Sequence, residues 1–419
     1  MNEMFEHPLA AQYRQLGEAS APGPTLMQGF PAAPAARVTW HNWMNPPFNR
    51  WGFRHLARLR PSIDVASGSK PASVLPQAPQ ALEHLRFDSL SGASVSVSQC
   101  LATSYTDAFL VMRQGKVVYE RYFNGQNPSD RHIMFSTTKS LIGLLGEQLV
   151  HEGKLNEQAL AQDYVPELRG SAFGDATVRQ LFDMAVGVHY SEVYEDPDSE
   201  SSQYGYACGF KPAPAEYARY QSLYQYLPSL QKRGEHGGLF HYVTATTEAL
   251  AWVMERASGV SCHELLQGVW SQLGCERDGY FMADPWGRSV AGAGFNATLR
   301  DMARFGLMLA NDGVVDGRQV IAKEAIEAVA QGNDPAVYAR NNEEFAAWTP
   351  GASYRSQWYV FNDHSQVLMA SGIHGQYLFV DRPSGTVIVK QSSTPVAVTD
   401  IDVDVVRMLR TITAHLDQA

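Results

Sequence analysis

Phe135-Ser136-Thr137-Thr138-Lys139-Ser140 opens a run in which Leu141, Leu144, Leu145, Leu149 and Val150 fall at helical spacing. This stretch decides the reading of the chain, because it sets a serine hydroxyl and a lysine amine three residues apart at a helix start. Residues so spaced share one helix face, so Lys139 can reach Ser136. A serine hydroxyl is a weak nucleophile at neutral pH and needs an adjacent base. A lysine in a partly desolvated site gives up its proton more readily and can act as that base. The helix N-terminus adds backbone N–H groups and a positive dipole end beside any developing oxyanion. Taken alone, Ser-x-x-Lys is better read as a capping serine followed by an exposed lysine.

The surroundings favour the reactive reading. Upstream, residues 107–113 and 116–123 are two strand-like runs, joined by Gln114-Gly115 as a hairpin turn. Downstream, residues 155–345 are mostly helical in pattern, with 246–257 and Leu299–Ala310 the clearest helices. Strand patterns return within 366–392, including Gln376–Asp381 and 386–390, with Pro383-Ser384-Gly385 as the turn, and 403–416 is again helical. Strands at both ends around a helical middle predict an α/β (α+β) body that closes late in the chain, with an inserted mainly helical part. The expected division is an arm over 1–80 packed on the body, an α/β part over about 81–155 and 350–419, and a helical part over about 156–349.

Two further segments carry chemistry. Phe240-His241-Tyr242-Val243-Thr244 stands at the start of a helix, where a tyrosine beside a lysine could take a proton from Ser136 and later return it to a leaving group. A core tyrosine with a satisfied hydroxyl is the plainer alternative. Ala370-Ser371-Gly372-Ile373-His374-Gly375-Gln376 feeds a strand, and its small residues would let substrate lie along the edge while a backbone N–H faces an oxyanion. A glycine-rich bulge is the plainer alternative here. The order and placement of all three segments point to a serine hydrolase.

Composition limits the other classes. The 419 residues are 45% hydrophobic and 18% charged, with a formal net charge of −10, which argues against a nucleic-acid partner. The apolar run near 141–150 is too short for a bilayer and carries Glu147. The N-terminal Met-Asn-Glu-Met-Phe-Glu-His lacks the basic and apolar regions of an export signal, so a cytoplasmic location is expected. Cys100, Cys208, Cys262 and Cys275 are irregularly spaced and expected to be reduced thiols. His236 and His241, with Glu235 nearby, fit no zinc spacing, and no cofactor or metal is expected. The acidic residues Glu192, Glu195, Asp196, Asp198 and Glu200 around Tyr194 could attract a substrate amine or form a solvated loop.

Longer segments add a family resemblance. Pro46-Pro47-Phe48-Asn49-Arg50-Trp51, Tyr105-Thr106-Asp107-Ala108-Phe109-Leu110-Val111, Tyr164-Val165-Pro166-Glu167-Leu168, Asp183-Met184-Ala185, Leu250-Ala251-Trp252 and Gly372-Ile373-His374-Gly375-Gln376 run from about Trp43 to the C-terminus. With them the chain resembles the class C β-lactamase-like serine hydrolases, most closely the 6-aminohexanoate-dimer (nylon oligomer) hydrolases and related carboxylesterases. The resemblance implies a β-lactamase/transpeptidase-like fold, a central antiparallel sheet flanked by helices, with the active site against the helical part. It also implies Ser136 as nucleophile, Lys139 as base, Tyr242 as shared proton carrier, and the N–H groups of Ser136 and Ile373 as oxyanion hole. Tyr194 would contact the substrate amide from a loop. From the residues themselves, Gly372 is expected at the substrate, and His374 either lines the pocket or stiffens its loop, a general-base role being redundant beside Lys139 and Tyr242. Thr244 replaces an asparagine of true class C β-lactamases and Ala370 a lysine, which argues against antibiotic hydrolysis. Positions near Gly205 and Gly292 govern amide-dimer activity in the family, and glycine at both argues against a strong one. A small ester or amide is the expected partner. An acyltransferase and a catalytically silent ligand-binding member are the alternatives, and oligomeric state, a homodimer included, stays open.

Overall fold

The structure is a computed structural model, and it describes residues 25–191, 196–340, 342–349, 351–361, 363 and 366–418. Its centre is a seven-stranded antiparallel sheet, ordered Ala352–Arg355, Trp358–Phe361, Val367–Gly372, Gln376–Asp381, Thr386–Ser392, Thr106–Arg113 and Lys116–Tyr122. The late strand Thr386–Ser392 pairs with the early strand Thr106–Arg113 from Thr386↔Arg113 onward, so the chain closes on its own beginning, as its pattern predicts. Gln114 and Gly115 both take positive φ, 48° and 76°, the turn that matches strand twist in a two-residue hairpin. Buried Val, Ile, Leu and Phe on both faces of the central strands show why they read as apolar runs and not as alternation.

Helices cover both faces. Thr137–His151 and Leu299–Ala310 lie on one side, and Ile401–Gln418 with Val97–Thr103 on the other. Leu299–Ala310 therefore packs on the main sheet, although its position in the chain falls inside the stretch expected to be the helical part. A second sheet of four short strands runs Ser62–Val65, Gly279–Met282, Phe295–Ala297 and His132–Ile133. Through it the arm joins the body by backbone pairing (Ser62↔Met282 to Val65↔Gly279), and Val38, Trp43, Phe53 and Leu56 enter the main core. Among the described residues no helix is long and apolar enough to cross a membrane. All four cysteines are buried and unpaired.

Candidate active site

The Ser136 segment is held from three directions. Met134 N–H donates to Phe295 O at 2.8 Å, and Phe295 N–H donates to Thr138 Oγ1 at 3.1 Å, which locks the motif to the second sheet. Ser140 Oγ donates to Gln357 O at 2.6 Å and Trp358 Nε1 donates to Ser140 O at 2.8 Å, fixing the same helix to the main sheet. Phe135, just before the serine, has φ of 44°, a left-handed conformation that is unfavourable for a bulky residue. Its ring explains how that strain is held: it stacks on Trp43 (6.4 Å) and meets Phe53 edge-on (5.0 Å), with His374 at 5.3 Å and Phe210 at 6.3 Å. The arm residues Trp43 and Phe53 thus form the floor beneath the serine, a role that their sequence, lacking any period, did not announce.

Ser136 occupies the N-cap of Thr137–His151, yet its side chain makes no capping bond. It faces Lys139 instead, whose Nζ is 2.8 Å from Ser136 Oγ and 2.7 Å from Gly292 O. Lys139 is 1% exposed, while Ser136 is partly open. This removes the capping-serine, exposed-lysine alternative. The Tyr242 ring lies over the amine, its centroid 5.1 Å from Lys139 Nζ. Tyr242 enters the helix Thr244–Ser258 through a strained anchor: Met184, at φ 52°, accepts the His241 N–H on its carbonyl at 2.7 Å. Tyr354 and Phe240 pack on the tyrosine at 6.0 and 6.4 Å. The Asp183-Met184-Ala185 family mark therefore has a local purpose, since Asp183 in turn receives Ser356 N–H and Arg355 Nη1 at 3.0 and 3.1 Å.

The third segment closes the site. A Cβ on Gly372 would stand 2.5 Å from Met134 O and 3.1 Å from Ser136 N, so only glycine lets the strand end pass this close to the serine amide. Ile373 follows directly and is partly buried. His374 is placed behind this turn and not in an open cleft: it is 5% exposed, its Nδ1 lies 2.7 Å from Thr394 O, and its backbone N–H donates to Ala397 O at 2.8 Å. Burial lowers its pKa to about 4, so the ring is neutral at pH 7 and braces the turn against Phe135 and Phe53. The arm contributes again through Asn49, whose buried amide donates to Ser393 O and Thr394 O at 3.1 and 3.2 Å.

Other expected residues fall elsewhere. Tyr194, with Glu192 and Glu195, lies outside the described residues. Asp198 pairs with Arg219 at 2.5 Å in the open, and Glu200 accepts Ser191 N–H at 2.8 Å. His236 bonds Asp175 at 3.0 Å, and no group of three His, Cys, Asp or Glu among the described residues is arranged to hold a metal ion. Sequence reasoning missed Glu248, a fully buried acid one turn after Thr244. An isolated acid within Thr-Thr-Glu-Ala-Leu-Ala-Trp was the available signal.

The chain is similar to known proteins over most of its length. Residues 101–409 match the β-lactamase family. The chain is 35% identical over 372 residues to the 6-aminohexanoate-dimer hydrolase of Paenarthrobacter ureafaciens, covering 87% of this chain and 91% of that protein. A solved structure of a candidate 6-aminohexanoate-dimer hydrolase from Bacillus anthracis superposes with TM-score 0.82 at 31% identity, covering 91% of this chain and 97% of that one. EstCE1, a hydrolase with promiscuous acyltransferase activity, shares the fold alone (TM-score 0.56, 15% identity, 73% of this chain and 92% of that one). The chain belongs to the β-lactamase family, as a hydrolase of the 6-aminohexanoate-dimer hydrolase type.

Proposed function

We propose that the protein cleaves small carboxyl esters or amides through an acyl-enzyme on Ser136. One observation carries the reading: a buried lysine amine at 2.8 Å from the hydroxyl of a partly open serine at a helix N-terminus. Ser136 Oγ attacks the carbonyl carbon while its proton passes to Lys139, with Tyr242 sharing it. The carbonyl oxygen takes up the negative charge against the N–H groups of Ser136 and Ile373. As the tetrahedral centre collapses, the bond to the leaving group breaks and Tyr242 supplies the leaving group's proton. Water then adds to the acyl carbon by the same route, releasing the acid and restoring the serine proton. Esters suit this site best, because an alkoxide or phenoxide needs less protonation to leave than an amine does.

The test is intact mass spectrometry during turnover of a short-chain p-nitrophenyl ester, beside Ser136→Ala. An acyl adduct and turnover in the wild type, both absent from the variant, is the expected result. Full esterase activity in Ser136→Ala would overturn the assignment. A small alcohol added as competing acceptor tells hydrolysis from acyl transfer by the product formed. Failure of any active-site serine probe to label the protein would favour a ligand-binding role.

A further inference from the structure

Glu248 has no part in the mechanism above, yet its carboxylate is the meeting point of four donors. Its Oε1 accepts the Gly292 N–H at 2.8 Å and the Tyr204 hydroxyl at 3.0 Å. Its Oε2 accepts Arg288 Nη1 at 3.2 Å and the Ala291 N–H at 3.3 Å, and Arg288 Nη2 also reaches the Glu248 carbonyl at 2.6 Å. Gly292 is the residue whose carbonyl receives Lys139 Nζ at 2.7 Å. A Cβ there would stand 2.7 Å from Thr244 Cγ2 and 3.1 Å from Glu248 Oε1, so the Gly292 backbone lies flat on the Thr244–Glu248 face of its helix. One side of Gly292 is thus fastened to Glu248, and the other fixes the amine beside Ser136.

From this geometry we infer that Glu248 is a positioning residue: it clamps Gly292 so that its carbonyl holds Lys139 at the distance and angle from Ser136 that proton transfer needs. The inference rests on the Ser136–Lys139 reading. A group held in place through a neighbour loses its alignment when the clamp goes, and small displacements of a reacting group are costly in rate. The Gly292 carbonyl also favours the charged amine, so freeing it lowers the pH at which Lys139 gives up its proton. Groups facing Lys139 include Ser136 and Tyr242; those facing Glu248 include Tyr204 and Arg288, with Cys208 and Cys262 behind them.

Glu248→Gln tests this, because a carboxamide offers one oxygen where the carboxylate offers two and cannot serve all four donors. For the p-nitrophenyl ester, kcat should fall by about 10- to 100-fold with KM little changed. The acid limb of the kcat profile should move to lower pH. Glu248→Asp, which keeps the charge but draws it back from Gly292, should do the same to a smaller degree and carries the readout if Glu248→Gln does not fold. Asp301→Asn, a buried acid of another helix, should lower thermal stability without moving the limb. Folded Glu248 variants with an unmoved acid limb and wild-type kcat would overturn the proposal, as would a limb moved equally by Asp301→Asn. Ser136→Ala run alongside keeps the two readings apart: if it stays active, the site assignment fails whatever Glu248 does.

Discussion

Among the described residues two lysines are buried beside serine hydroxyls, and the two pairs differ in what can reach them. Lys139 is 1% exposed, with Ser136 Oγ and Gly292 O as partners. Lys390, on the strand Thr386–Ser392, is 0% exposed, bonded to the Ser392 hydroxyl and near Gly375 O and Ser104 O at 3.4 Å. Desolvation lowers Lys390 to about pKa 8, the kind of shift that would make a lysine a usable base. Ser392, however, is 0% exposed, sealed against the turn at Gly375 at the end of its strand. Ser136 is partly open, heads a fifteen-residue helix, and borders the gap that Gly372 leaves. The difference teaches that a low-pKa lysine next to a serine is not a site by itself; access and a preorganised place for the oxyanion make it one.

The comparison is broken most directly by treating both lysines alike. Lys139→Met should cost on the order of 10³-fold or more in kcat/KM, as loss of the activating base does in serine enzymes. Lys390→Met should keep most of the activity. Equal losses in steady-state kinetics would mean that the buried pair also feeds the reaction. Next in size is Gly372→Ala. The added methyl must push against Met134 O at 2.5 Å and crowd the Ser136 amide at 3.1 Å, so the predicted loss is about 100-fold, mainly in kcat, the scale of one lost oxyanion donor. A wild-type kcat in that variant would remove the Ser136 amide from the oxyanion site.

Much of this was legible in the chain. The hairpin at Gln114-Gly115, the helix after Ser136 and the strand after Gly375 have local causes: a two-residue turn, a 3.6-residue period, an apolar run between turn residues. The strands Ala352–Arg355 and Trp358–Phe361 were not read, because Tyr-Arg-Ser-Gln-Trp-Tyr has no alternation, and their pairing is set by the sheet they join. Likewise, nothing local in Ser62-Ile63-Asp64-Val65 announces a strand whose partner is more than two hundred positions away. The proximity of Ser136, Lys139 and Tyr242 was legible because such groups come in recognisable sets. His374 was legible as a residue that lines the pocket or stiffens its loop, but its letter could not say that Phe53, Phe135 and the Thr394 carbonyl would be its partners. Glu248 escaped because its carboxylate meets the site only through the backbone of Gly292, a contact that no local pattern announces.

The finest test of the comparison is the stability of Lys390→Met against pH. Lys390 is lowered in the folded state from 10.5 to about 8, so between those values the unfolded chain binds more protons than the folded one. Stability of the wild type therefore gains from this residue as pH rises, and below pH 8 the folded state carries the full cost of a buried charge. Methionine has no such cost, although it leaves the Ser392 hydroxyl and the Gly375 carbonyl without an amine. Urea unfolding midpoints should show Lys390→Met favoured most near pH 7, by on the order of 1–3 kcal/mol relative to its standing near pH 10. Groups that do not feel the Lys390 charge titrate alike in both proteins and cancel in the difference; Cys100, Asp402 and Asp107, which do feel it, contribute to what remains. A difference that stays flat from neutral to alkaline pH would mean that Lys390 keeps its charge at no penalty. The sealed pair would then be an ordinary structural contact.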